Sequence, residues 1–251
     1  MELLVGTLLL RPYVFGFLAA FLVAGAADLG VRRALAFAGL VWPLAWLAEF
    51  SSTRWGVPFG LYHYTGDTRG RELFIADVPF MDSLSFTFLA YAALCLARVT
   101  WRGREPSGPA LAVTAGGLMM LLDVVIDPLA VMGDRWFLGR IFHYAEPGPY
   151  FGVPLSNFAG WWLVGALGVG LWLRATGYRE PAAGGRPWPG VGLYYAVLVF
   201  NLAVTAWLSE WRLLAAGILV HTIAALAIAR PAPRRAPALP VRPGEGGIGG
   251  P

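Results

Sequence analysis

The chain has 251 residues, 57% of them hydrophobic and only 14% charged, with a formal net charge of +4. A soluble domain carries nearer a quarter charged residues, so an ordinary water-facing surface is excluded and lipid must replace water around most of the chain. All 19 basic residues are arginines, scattered among connecting segments without interleaved aromatics, which argues against a nucleic-acid partner.

Seven stretches approach the roughly 20 apolar residues that a membrane span needs. They run from Tyr13 to Ala27, Ala34 to Phe50, Leu84 to Ala97, Ala110 to Met132, Pro154 to Leu173, Val191 to Leu208 and Leu213 to Ala229. The first apolar stretch begins at Leu3, has neither a basic start nor a clean cleavage site, and reads as a retained helix with Pro12 as a kink. The second and third are short and need flanking residues to span. The fold class expected is therefore all-α, a polytopic membrane helix bundle of about seven spans, within a range of about six to eight. The transmembrane domain covers residues 1–230, and the Pro- and Gly-rich tail, 231–251, has too little to bury and is expected to be disordered.

Arginine bias sets the orientation, because cytoplasmic segments hold the excess. With the N-terminus outside, twelve arginines fall inside and seven outside, which places the tail in the cytoplasm. The expected location is a cell inner or plasma membrane. Cys95 stands alone in an apolar run and reads as a small buried hydrophobe.

Two connections, Ser51 to Met81 and Gly133 to Val153, are far longer than a helix hairpin requires. They are rich in aromatics, Gly and Pro, so they are expected to be ordered and to pack on the helices. They also echo one another. Each starts from a carboxylate at a helix end (Glu49, Asp127), passes through a Trp and Gly turn to an aromatic-His-Tyr triplet (Tyr62-His63-Tyr64, Phe142-His143-Tyr144), and reaches Val-Pro before a helix opened by polar residues. About 78 residues separate the two carboxylates and about 80 the two histidines, which predicts a duplicated helix-loop-helix unit with halves 34–97 and 110–173. Two spans per unit make the copies parallel, so both loops fall at one membrane face. Glu210, in LSEWR, reads either as a third worn copy or as an interfacial acid paired with Arg212.

Ionisable side chains at membrane depth are costly and point to function. Glu49, Asp123 and Asp127 qualify as catalytic candidates, whereas Asp67, Glu72, Asp134, Glu146 and Glu180 lie in loops and read as solvated. Asp123 and Asp127 stand one helical turn apart on one face, so they cannot both ionise easily, and one is expected to keep its proton near neutral pH. A helix cap is the structural alternative for Asp127, for Asp82 and for Asn157. Asp82, Ser156 and Asn157 are candidates for binding substrate or water, as are His63 and His143. Three histidines without a paired spacing argue against a metal site. Tyr62, Tyr64 and Trp161 are candidates for lining a pocket, where ring faces would stabilise a carbocation.

The stretches FGLYHYTGD, DVPF, DVVIDPLAV and above all YFGVPLSNFAGWW resemble those of the membrane carotenoid-biosynthesis family that includes bisanhydrobacterioruberin hydratase and the γ-carotene 1'-hydroxylating hydratases. The resemblance spans roughly Glu49 to Trp162. It implies hydration of the C1=C2 double bond at the end of an acyclic or monocyclic carotenoid, without a redox cofactor, and the expected partners are that carotenoid and the lipid bilayer. The rival readings are a lycopene-cyclase-like isomerase and a non-enzymatic carotenoid- or isoprenoid-binding membrane protein. Association with further copies or with other enzymes of carotenoid synthesis stays open.

Overall fold

The computed structural model describes residues 2–179 and 185–229. The tail read as disordered and Glu180 lie outside the described residues. Among these are eight helices: α1 (Glu2–Leu10), α2 (Pro12–Leu29), α3 (Val31–Trp55), α4 (Phe80–Thr100), α5 (Gly108–Ala130), α6 (Leu155–Thr176), α7 (Trp188–Trp207) and α8 (Trp211–Ala229). The last seven are long and apolar enough to cross a membrane. At 9 residues α1 is not, rising only about 14 Å. Pro12 separates it from α2, because proline has no N–H for α1 to continue on yet suits the first turn of a new helix. The two short expected spans gain turns at both ends, as α3 and α4.

Helix α4 forms the centre of the bundle and packs on α2, α3, α5 and α7, whereas α8 lies at the periphery with most of its surface turned outward. The most extensive helix pair is α5 with α6. A Cβ placed on Gly116 would come within 2.4 Å of the Trp162 carbonyl oxygen, and one on Gly165 within 3.0 Å of the Gly116 Cα. Glycine at both positions is what lets the two backbones approach, as small residues do between helices in lipid.

Both long connections are ordered, and they meet. The two aromatic-His-Tyr triplets form short strands, β1 (Tyr62–Tyr64) and β4 (Phe142–Tyr144), where the sequence reading had assigned only loop. A second small pair joins β2 (Phe74–Ile75) to β3 (Val78–Pro79). Strands β1 and β4 pair antiparallel with Tyr62 opposite Tyr144, His63 opposite His143 and Tyr64 opposite Phe142. Only the central histidines face their own counterparts; the flanking positions cross over, so that a local twofold centred on His63 and His143 relates the two triplets.

At the opposite end of the bundle, the Asp28 carboxylate accepts hydrogen bonds from the Arg98 guanidinium and, at 2.9 Å, from the Arg186 backbone N–H. That cluster ties α2, α4 and the approach to α7. Glu210 pairs with Arg135 at 2.5 Å, not with Arg212, because the short turn after α7 lies beside the second long connection.

Candidate functional site

Asp123 and Asp127 share a face of α5, and the close α5–α6 packing brings Asn157 onto it. The Asn157 side-chain nitrogen donates to Asp123 Oδ2 and to Asp127 Oδ2, each at 2.7 Å. All three groups are buried, Asp123 completely. Pro154, not Asn157, occupies the cap position of α6, so the amide is committed to the two acids rather than to the helix end. The Tyr144 hydroxyl faces Asp127 Oδ2 at 3.5 Å, and the Trp161 indole lies beside the same carboxyl. No arginine pairs with this acid pair among the described residues.

Glu49 and Asp82 come from the other half. Glu49 is buried on α3 beside Tyr64. Asp82 lies in the first turn of α4, where the cap position is taken by Pro79, and its carboxylate accepts from the Arg11 guanidinium. Arg11 occupies the break between α1 and α2 and also donates to both oxygens of Glu72, at 2.7 and 3.0 Å. Glu72 is thus almost wholly buried, which corrects its assignment as a solvated loop acid. The reason is that the loop folds back on α1, where the Leu73 backbone N–H donates to the Thr7 hydroxyl at 3.0 Å. The sequence reading missed Arg11 as a site residue. Its signal was present, since an arginine between LLL and PYVF carries a charge inside an apolar stretch, the same criterion that singles out Glu49.

These groups meet at one cavity of about 970 Å³, mouth included. Glu49, Asp82, Asp127, Asn157 and Arg11, with Ser85 and Asn201, supply its polar wall, and Tyr62, Tyr64, Tyr144, Phe86 and Trp161 much of the rest. Asp123 stands one turn deeper, behind Asp127. The remaining wall is apolar and runs out along Phe17 on α2 and Phe200 on α7, both partly exposed on the side of the bundle. Three expected binders stay outside. Side chains alternate along a strand, so Tyr62 and Tyr64 point in while His63 points out. His63 and His143 are both exposed, their rings 6.0 Å apart on the outer side of the strand pair, and Ser156 is exposed at the foot of α6.

Burial, followed by the nearby Glu49 carboxylate, pushes the phenols of Tyr62 and Tyr64 well above their usual range. Burial and Asp127 do the same to Tyr144. All three therefore remain neutral hydroxyls. Burial works against the charge on Arg11, but Asp82 and Glu72 outweigh it and keep the guanidinium ionised. The arrangement joins carboxyl groups held at membrane depth, neutral hydroxyls and ring faces around one apolar space, which suits proton transfer to a hydrocarbon.

Bisanhydrobacterioruberin hydratase from Haloarcula japonica is 33% identical to this chain over 149 residues, which cover 59% of the chain and 47% of that relative. The chain spans about half the length of this curated relative. No solved structure matches. The carotenoid biosynthesis protein family matches residues 7–229, nearly the whole described bundle. The chain is thus a member of the carotenoid biosynthesis protein family, built as a multi-pass membrane helix bundle.

Proposed function

We propose that this protein hydrates the terminal C1=C2 double bond of an acyclic or monocyclic carotenoid to a tertiary alcohol. The observation that carries the reading is the Asp123–Asp127 pair, bridged by Asn157 and opening at Asp127 onto an apolar, aromatic-walled cavity inside a membrane bundle. Two carboxyls that share one amide donor hold a proton between them more readily than two charges, and Asp127 can present that proton to the cavity.

The alkene π electrons take the proton at C2, and a tertiary cation forms at C1. The stacked rings of Phe86 and Trp161 face the cavity and stabilise that charge. The oxygen of a water molecule bonds to C1, and its surplus proton passes to a carboxylate. No electrons are exchanged with a cofactor. The long hydrocarbon remainder leaves along the apolar wall beside Phe17 and Phe200, toward the lipid. The reading also agrees with the name of the Haloarcula japonica relative.

Expression in a lycopene-producing host, followed by mass measurement of the carotenoids, tests this. A gain of one water supports hydration. A cyclised product of unchanged mass would replace the reading with a cyclase-like isomerase, and untouched lycopene would leave a carrier. Asp127→Asn should abolish the gain while the protein still accumulates in membranes.

A further inference from the structure

The polar wall of the cavity divides into two chemically unlike parts. On the α5–α6 side, the oxygen that Asp127 shares with the pair is crowded by donors, from Asn157 at 2.7 Å and Tyr144 at 3.5 Å. Asn157 has spent its N–H groups on the two aspartates, and Ser156 and both loop histidines face away. Asp123 Oδ1 is also a buried acceptor without a partner, but Asp123 stands behind Asp127 and does not line the cavity.

The α3–α4 side is the reverse. Glu49 Oε2 and Asp82 Oδ2 are buried acceptors without a hydrogen-bond partner, and both residues line the cavity. Glu49 is 4% exposed, so bulk water does not solvate that oxygen. Glu49 and Asp82 face the same cavity from α3 and α4, two helices that pack directly on one another. A buried acceptor without a donor is unfavourable, and a bound water with two O–H groups satisfies two of them at once. The second oxygen system of Asp82 is tied to Arg11, which is anchored on Glu72 and cannot give up its proton. Asp82 is thereby held in one orientation.

We infer that the attacking water binds between Glu49 and Asp82, so that the two echoing halves divide the reaction: the second half delivers the proton and the first holds and deprotonates the nucleophile. This rests on the hydration reading. In the step, an O–H bond of the water breaks toward Glu49 as the new O–C1 bond forms, and the electron pair of that O–C1 bond comes from the water. Asp127 has by then given its proton to C2. Return of the proton from Glu49 to the aspartate pair across the cavity resets the enzyme without any co-reactant. Arg11 acts through Asp82 and is a positioning residue.

The test uses membranes containing the full chain, supplied with lycopene in D₂O, with products resolved by mass spectrometry. The wild type should add one water with deuterium at C2. Glu49→Gln should lower water addition on the order of 100-fold, the range in which a general base contributes. The recovered unhydrated carotenoid should nevertheless still acquire deuterium, because protonation is intact and the cation returns its proton. Asp127→Asn should lose both signals. Asp82→Asn gives the same split as Glu49→Gln and reads the proposal should that variant fail to accumulate. Loss of deuterium together with water in both Glu49→Gln and Asp82→Asn, or full hydration in both, would overturn the division of roles while leaving the hydration reading in place. A wild type that adds no water would overturn the hydration reading itself.

Discussion

Phe86 and Trp161 stack with ring centroids 4.6 Å apart and planes 28° from parallel, at matching positions after Pro79 and Pro154. Each half of the echo thus contributes one ring to the cavity wall, and the bulk of the pair keeps α4 and α6 at a fixed separation there. Trp161→Phe keeps a ring in the stack and, losing less buried volume than Ala would, should cost about 1–2 kcal/mol. It also removes the indole beside Asp127, so carotenoid conversion should fall about tenfold, more than the modest drop in melting temperature in detergent explains. Trp161→Ala should instead cost about 3–5 kcal/mol and lower both.

Asn157 offers a sharper separation of roles. Replacing it by Ala leaves Asp123 and Asp127 buried without their shared donor, which should cost about 1–3 kcal/mol. Asn157→Asp puts a third carboxyl against the pair and should be worse than Ala despite its similar shape. Thermal unfolding of the three proteins in one detergent ranks them, and Asp falling above Ala would contradict a charge-poor site.

Much of this arrangement is legible in the sequence, because hydrocarbon length and the cost of membrane charges are strong local signals. Seven spans and the burial of Glu49, Asp123 and Asp127 follow from those two rules, and the order of the two long connections follows from their aromatic, Gly and Pro composition. Asn157 could be identified as a candidate but not as the bridge, since the bridge depends on how near α6 comes to α5. His63 and His143 misled for a plain reason. A triplet rich in chemistry suggests a site, but once it forms a strand, alternate side chains point apart, and the tyrosines take the inward positions. Arg11 and Glu72 stand 61 positions apart, and no local pattern links them.

That long-range ion pair makes a prediction of its own. Arg11→Ala strands Glu72 and Asp82 in a buried setting and should cost about 3–5 kcal/mol. Glu72→Gln keeps hydrogen-bonding shape and leaves Arg11 paired with Asp82, so its cost should be smaller. Limited proteolysis should cut ahead of Pro12 much faster in Arg11→Ala, because α1 makes few other contacts with the bundle.

The α5–α6 seam predicts an order for two substitutions of the same chemistry. A Cβ on Gly116 meets backbone, the Trp162 carbonyl at 2.4 Å and the Ala166 nitrogen at 2.7 Å. A Cβ on Gly165 meets the Met119 sulfur at 2.9 Å, which a flexible side chain can move, and backbone only at 3.0 Å, the Gly116 Cα. Gly116→Ala should therefore approach or exceed the upper end of the roughly 1–3 kcal/mol typical of overpacking, and Gly165→Ala should stay near the lower end. Because the seam sets the reach of Asn157 to the aspartates, Gly116→Ala should also lose more conversion than its stability loss explains. Equal effects from the two would show that the helices can slide apart freely.

The pH response of the loop tyrosines follows from the direction of their shifts. Tyr62, Tyr64 and Tyr144 hold their protons more tightly in the folded protein than in the unfolded chain, because burial and the adjacent carboxyls disfavour phenolate. For a group whose folded pKa is raised, the linked stability is fully present below the unfolded value, about 10, and is lost as pH rises past it. Folding should accordingly be insensitive to these residues at neutral pH and weaken progressively above about pH 10. Absorbance at the phenolate band during an alkaline titration should show the loop tyrosines ionising late and together, coincident with loss of helical circular dichroism. Tyr62→Phe and Tyr64→Phe remove a titrating group without removing the ring, so each should flatten the alkaline fall in melting temperature. Early, reversible ionisation of these phenols with the helices intact would mean that the strand pair stands open to water rather than sealing the acids beneath it.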